Sequence, residues 1–198
     1  MTRRRDRLEN TALLEVEAVL DAIRESEEGA SVKDLADSFH LNRAAQKQLT
    51  RLLNTLQGTG IIKRYDQEFR WADSNRVFLG TLRQRRRKSI FFFPEDEHVQ
   101  RKIRVAPEDT NGAFDGDRVI ASLARGRGQE REAKVEIVLR RGQLKVIGRL
   151  HCTYRFSFVE SLDEKFPFDI DVDLLDTNED GKIVVVEVTR YPNAHENP

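Results

Sequence analysis

The sequence predicts an α+β, multidomain fold: an N-terminal winged helix-turn-helix followed by two tandem five-stranded barrels of the oligonucleotide-binding type, the second incomplete. Three observations carry this. Apolar residues recur at helix spacing through roughly the first seventy residues. From Arg76 onward the chain turns to short β-prone runs separated by polar turns. That β-rich part resembles itself at an offset of about 65–68 residues. The corresponding domains are 1–74, 75–142 and 143–198.

In the first segment Leu13, Val16, Leu20 and Ile23 keep one helical face through Leu8–Ser26, and Gly29 follows as a stop. Ser31 opens a short second helix, with Asp34 three positions on as a capping box and Leu35 turned inward. A third helix starts near Asn42, carries Leu49, Leu52, Leu53 and Leu56 on one face, and stops at Gly58. Ile61–Trp71 then reads as two β-prone ends around a polar middle, a hairpin that serves as the wing.

In the repeat, Leu79-Gly80-Thr81-Leu82 recurs as Ile147-Gly148-Arg149-Leu150, and Phe91-Phe92-Phe93 as Phe156-Ser157-Phe158. Ile103-Arg104-Val105 recurs as Ile170-Asp171-Val172, and Asp115-Gly116 as Asp180-Gly181. The first copy adds a fifth strand at Arg131–Arg140, where Ala133, Val135, Ile137 and Leu139 alternate with polar residues. The second copy reaches Pro198 after its fourth strand, so its closing strand is missing.

Charge divides the chain. Residues 151–198 hold four Lys/Arg against eleven Asp/Glu, a net of −7, and because the whole chain has 34 of each sign, residues 1–150 carry +7. A polyanion meets the front part first. Cys152 is the sole cysteine, which excludes an internal disulfide and a thiolate-rich zinc site. No apolar run approaches a membrane span, and a cytoplasmic protein without membrane contact is expected.

Strand alternation puts Phe91 and Phe93 on one face of the first barrel and Ile90 and Phe92 on the other, and only one set fits inside. The outward set, beside Arg83, Arg85, Arg86, Arg87 and Lys88 and near Lys102 and Arg104, makes a candidate surface for stacking unpaired bases and holding phosphates. Tyr154, Phe156 and Phe158 take the equivalent part in the second copy, where Asp169 and Asp171 replace the cations. Arg43, Lys47 and Arg51 on the third helix, with Lys63 and Arg64 on the wing, are candidate DNA or RNA contacts.

Other motifs point elsewhere. Asp176-Thr177-Asn178-Glu179-Asp180-Gly181 with Glu187 fits the spacing of a calcium loop, but Lys182–Thr189 is β-branched where an exiting helix is needed. Asp169, Asp171 and Asp173 alternate on one strand, with Asp163 nearby, as a solvated acidic edge. His40, His98, His151 and His195 show no ligand spacing and fit surface or capping roles. No metal ligand and no catalytic residue is assigned.

In their order, Val77–Gly80, Phe93-Pro94-Glu95-Asp96, Asn111–Val119 and Glu132-Ala133-Lys134-Val135 resemble the first cold-shock domain of the ribonuclease R/ribonuclease II (RNB) exoribonuclease family. Phe158-Val159-Glu160, Asp169–Val172 and Asp180-Gly181 through Val188–Pro192 resemble the second, and Asp34-Leu35-Ala36 with Gly60-Ile61-Ile62 the winged helix in front. The chain departs from the family at Lys88 and Ile90, where glycines are usual, and at Asp171, where an aromatic is frequent. The resemblance implies RNA degradation in the 3′-to-5′ direction, with these domains guiding single-stranded RNA to a catalytic domain absent from this chain. Magnesium is then expected only in that absent domain, so this chain needs no cofactor.

The leading expectation is single-stranded RNA binding with little sequence preference, the catalytic domain joining in cis or as a protein partner. An alternative is a winged-helix DNA-binding regulator whose barrels bind a partner. A third is a docking or autoinhibitory surface on the acidic second copy.

Overall fold

The computed structural model describes residues 15–86, 89–99, 102–125, 131–142, 145–166, 168–173 and 177–191. The chain divides into two compact units, Met1–Val77 and Phe78–Pro198.

In the first unit α1 (Val16–Glu25) buries Val19, Leu20 and Ile23 along one stripe; Leu8–Leu14, read as part of the same helix, lies outside the described residues. A two-residue strand, β1 (Ala30–Ser31), leads into α2 (Val32–Ser38). The expected capping box closes there: the Ser31 hydroxyl accepts the Asp34 N–H at 3.1 Å, and the Asp34 carboxylate accepts the Ser31 N–H at 3.0 Å. The Ser31 hydroxyl first, and its backbone N–H second, hold the Asp34 carboxyl below its ordinary range.

Asn42 caps α3 (Arg43–Thr59) by accepting the N–H groups of Ala44 and Ala45, each at 3.0 Å, and Ala45, Leu49, Leu53 and Leu56 form its buried face. The helix stops at Gly60, not at Gly58. Gly58 is still helical, whereas Gly60 takes the left-handed φ of +84° that a C-terminal cap requires. The hairpin is present as β2 (Ile62–Tyr65) and β3 (Glu68–Trp71), and β1 adds to β3, giving the order β1-β3-β2.

From Phe78 on, the second unit holds β4 (Val77–Arg86), β5 (Ser89–Pro94), β6 (Ile103–Val105), β7 (Arg118–Arg125) and β8 (Arg131–Arg140). They close a barrel in the order β4-β5-β6-β8-β7, with β6 and β8 parallel, which fits the oligonucleotide-binding type. Leu82, Ile90, Phe92, Ile103, Val105, Val119 and Ala121 fill it, so Ile90 and Phe92 are the inward set. Then β9 (Lys145–Cys152), β10 (Ser157–Ser161), β11 (Asp169–Val172) and β12 (Ile183–Glu187) form an antiparallel sheet in the order β11-β10-β9-β12. Among the described residues no strand joins β11 to β12, the place that β8 fills in the barrel.

The repeat read from sequence extends to individual hydrogen bonds, with one register corrected: Arg83 pairs with Phe91 and His151 with Phe158, so Phe91 matches Phe158 and not Phe156. Gly116 N–H donates to Leu82 C=O at 2.9 Å, and Gly181 N–H to Leu150 C=O at 2.8 Å. The Asp115 carboxylate accepts the Gln84 N–H at 2.7 Å, and the Asp180 carboxylate the Cys152 N–H at 2.8 Å. Gly80 and Gly148 stand where a Cβ would run into the backbone carbonyls of Phe93 and Glu160, so each copy needs glycine for its first two strands to approach.

One part of the first copy belongs to the second core. Phe114 packs with Val146, Leu150, Val159, Phe166 and Ile170, its ring 5.1 Å from Phe166 and 5.5 Å from Phe168. The turn that Phe114 opens is fixed by Asp117, which is buried and accepts hydrogen bonds from Phe114 N–H, Gly142 N–H and the Arg141 guanidinium at 2.7–2.9 Å. The same guanidinium lies 4.0 Å over the Tyr191 ring; burial pushes that phenol above its ordinary value, and the cation opposes the shift.

Candidate nucleic-acid interface

Strand register builds the first candidate surface. Phe91 on β5 lies directly opposite Arg83 on β4 and Arg104 on β6, so an aromatic ring stands between two exposed cations on the outer face of the barrel. Lys102 places its ammonium 3.7 Å from the centre of the Phe91 ring. Phe91 and Phe93 are therefore outward but half-buried, not the bare platform that alternation suggested. The row ends at Glu132 on β8, opposite Arg104. A bulge between Gln84 and Arg86 takes Arg85 out of this row. It lines a cleft of about 700 Å³ with Lys145, Ile147, Leu162, Asp163, Glu164 and Lys165. Arg87 and Lys88, and the side chain of Arg86, lie outside the described residues.

The second surface occupies the same row of the other copy. Phe158 on β10 lies opposite His151 on β9 and Asp171 on β11, so Arg83, Phe91 and Arg104 are matched by His151, Phe158 and Asp171. The His151 and Phe158 rings stack at 4.8 Å with 15° between their planes, and Phe156 stacks on the other partner of the series, Phe158, at 6.2 Å and 23°. The imidazole Nε2 is 3.1 Å from the Glu160 carboxylate, which fixes the ring's orientation.

Phe156 precedes the strand that sequence reading gave it. It sits in a turn tied by Thr153, whose hydroxyl donates to Phe156 C=O at 2.6 Å and accepts its N–H at 3.0 Å. The turn holds two rings in solvent, Tyr154 at 80% and Phe156 at 57% exposure. Arg155 lies 5.0 Å from the Tyr154 ring centre. Bare aromatic area is thus concentrated in the acidic copy and cation in the barrel. His151, which sequence reading gave only a surface or capping role, is the third ring of the series.

A third surface lies in the first unit. Arg43, Lys47 and Arg51 are exposed at four-residue intervals on α3, which contains no acidic residue. On the hairpin Lys63 lies directly opposite Arg70, a like-charge pair that costs stability unless an anion offsets it; Arg70 also meets Glu68 at 2.9 Å. Arg64 turns the other way, its guanidinium 5.7 Å from the Phe69 ring, so Lys63 and Arg64 of the hairpin do not share a face.

The remaining motifs take other places. Glu187 lies on β12 opposite Lys145, and Asp180 is engaged by the Cys152 N–H; Asp176 is outside the described residues. Asp169 and Asp171 are exposed along the sheet edge β11. Among the described residues no group of three or more His, Cys, Asp or Glu side chains gathers to hold a metal. No described helix is long and apolar enough to cross a membrane.

Comparison with known proteins bears on these surfaces. No family model matches the chain. Over 172 residues it is 28% identical to Ribonuclease R of Thermotoga maritima, a match covering 84% of this chain. The similarity supports a relation to that protein. The match spans 24% of the relative's length.

Proposed function

We propose that the chain is the single-stranded RNA-binding region of a ribonuclease R-like 3′-to-5′ exoribonuclease. A winged helix (1–74) and two cold-shock-type barrels (75–142 and 143–198) would guide RNA toward a catalytic domain outside this chain. That domain, in cis or as a separate protein, is where magnesium and hydrolysis belong. The observation that carries the reading is the pair of equivalent rows: Phe91 between Arg83 and Arg104 on the barrel, and Phe158 beside His151 with Phe156 and Tyr154 exposed nearby. Cations hold phosphates, rings stack on unpaired bases, and the two together favour single strands over duplexes.

Fluorescence anisotropy with an unstructured RNA and a duplex DNA of equal length tests this. Tighter binding to the RNA, weakening as salt rises, is expected; equal or tighter binding to the duplex contradicts it.

A second reading, a DNA-binding regulator, is favoured by the acid-free α3 with Arg43, Lys47 and Arg51 in line and by the Lys63–Arg70 pair. Selection from random duplexes tests it: enrichment of one motif supports it, and no enrichment removes it.

A further inference from the structure

Resting on the single-stranded RNA reading, we infer that Asp171 makes the open sheet select bases with an exocyclic amino group, cytosine over uracil. At the position where the barrel sets Arg104 beside Phe91, the open sheet sets Asp171 beside Phe158. Both positions are exposed. Directly opposed residues of an antiparallel pair have Cβ atoms about 4.5–5.5 Å apart, so a base stacked beside Phe158, one face of whose ring His151 already covers, brings its edge within reach of the Asp171 carboxylate.

The two side chains demand opposite things of a strand. An arginine draws the phosphate toward it. A carboxylate repels phosphate, accepts hydrogen bonds and donates none, so it favours only a strand that turns a base edge toward it. The cytosine N4 amino group donates to a carboxylate. Uracil presents the O4 carbonyl at that position, lone pair against lone pair. The other carboxylate near the row, Glu160, already faces the His151 Nε2 at 3.1 Å, while His151 stacks on Phe158. Asp169 stands opposite Glu160, away from the ring, which leaves Asp171 as the acceptor beside the stacked base.

The test is fluorescence anisotropy with the full chain and labelled oligocytidylate or oligouridylate of about ten nucleotides, within the length one such fold spans. Oligocytidylate is expected to bind roughly five- to tenfold tighter, the low end for one base contact because the site is exposed. Asp171→Asn brings that ratio close to one and leaves uridylate binding unchanged or tighter, while Asp169→Asn keeps the ratio. Equal binding of the two RNAs by the unmodified chain, or a ratio that survives Asp171→Asn, overturns the inference and leaves RNA binding standing. Failure to bind either RNA overturns both.

Discussion

The closed barrel and the open sheet share a hydrogen-bonding plan and differ in what they put on it. The row Arg83, Phe91, Arg104 becomes His151, Phe158, Asp171, and the ring that Lys102 covers in one copy is in the other stacked by His151, with Tyr154 and Phe156 exposed nearby. A repeated fold does not repeat a function. The backbone fixes which positions share a face, and the side chains there decide whether that face serves phosphate or base. The copies differ in closure too: Ile103 sits in a barrel sealed by β8, whereas Ile170 packs with half-buried Val172 and Val184 in a sheet whose end strands β11 and β12 no strand joins among the described residues.

The largest contrast expected is in stability. Ile103→Ala and Ile170→Ala are the same truncation at equivalent positions, and such truncations cost about 2–5 kcal/mol. Denaturant unfolding should place Ile103→Ala near the top of that range and Ile170→Ala near the bottom, because the open sheet can relax around the cavity. Equal losses would mean that the second core is as tightly packed as the first.

Next in size is the effect of single rings on RNA affinity. Phe156→Ala, at a ring exposed to solvent, removes a stack worth about 1–3 kcal/mol, a loss of roughly 5- to 150-fold at constant salt. Phe91→Ala should cost less, since Lys102 already occupies its ring. The reverse order, measured by anisotropy, would move base stacking to the barrel.

The arginines sharpen the division by salt dependence. Removing one phosphate contact to a single strand flattens the plot of log affinity against log salt by about 0.7. Arg104→Ala is expected to do this and Asp171→Ala not. An unchanged slope for Arg104→Ala would take that residue out of the phosphate path.

The smallest effect concerns Ser157, which stands on β10 where the barrel has Ile90. Its hydroxyl is buried and has no hydrogen-bond partner among the described residues. Ser157→Ala should be neutral or raise stability by up to about 1 kcal/mol in thermal unfolding, since burying an unpaired hydroxyl is itself a cost. A clear loss would show that the hydroxyl is bonded in solution.

Much of this architecture was legible in the residues because local rules set it. The Ser31/Asp34 box, the Asn42 cap and the Leu49/Leu53/Leu56 stripe are signals within a few positions of one another. The offset of about 65–68 residues exposed both copies through glycines that no other residue can replace, Gly80 and Gly148. What stayed hidden depends on register. β1 has two residues, too few for a period. His151 gains its role only from standing opposite Phe158, and Lys102 covers Phe91 from outside the strand that carries the ring. Phe114 reads as part of the first copy and packs in the core of the second, because its turn is fixed by the buried Asp117, whose place in the second copy is taken by Lys182.

The central claim is that bases lie on the open sheet and phosphates on the barrel, and photocrosslinking tests it most directly. Irradiating the full chain with bound oligocytidylate, followed by mass spectrometry of the linked peptides, reports which rings touch bases. Crosslinks at Tyr154, Phe156 or Phe158 are predicted. Crosslinks confined to Phe91 and Phe93, or to α3, would contradict it.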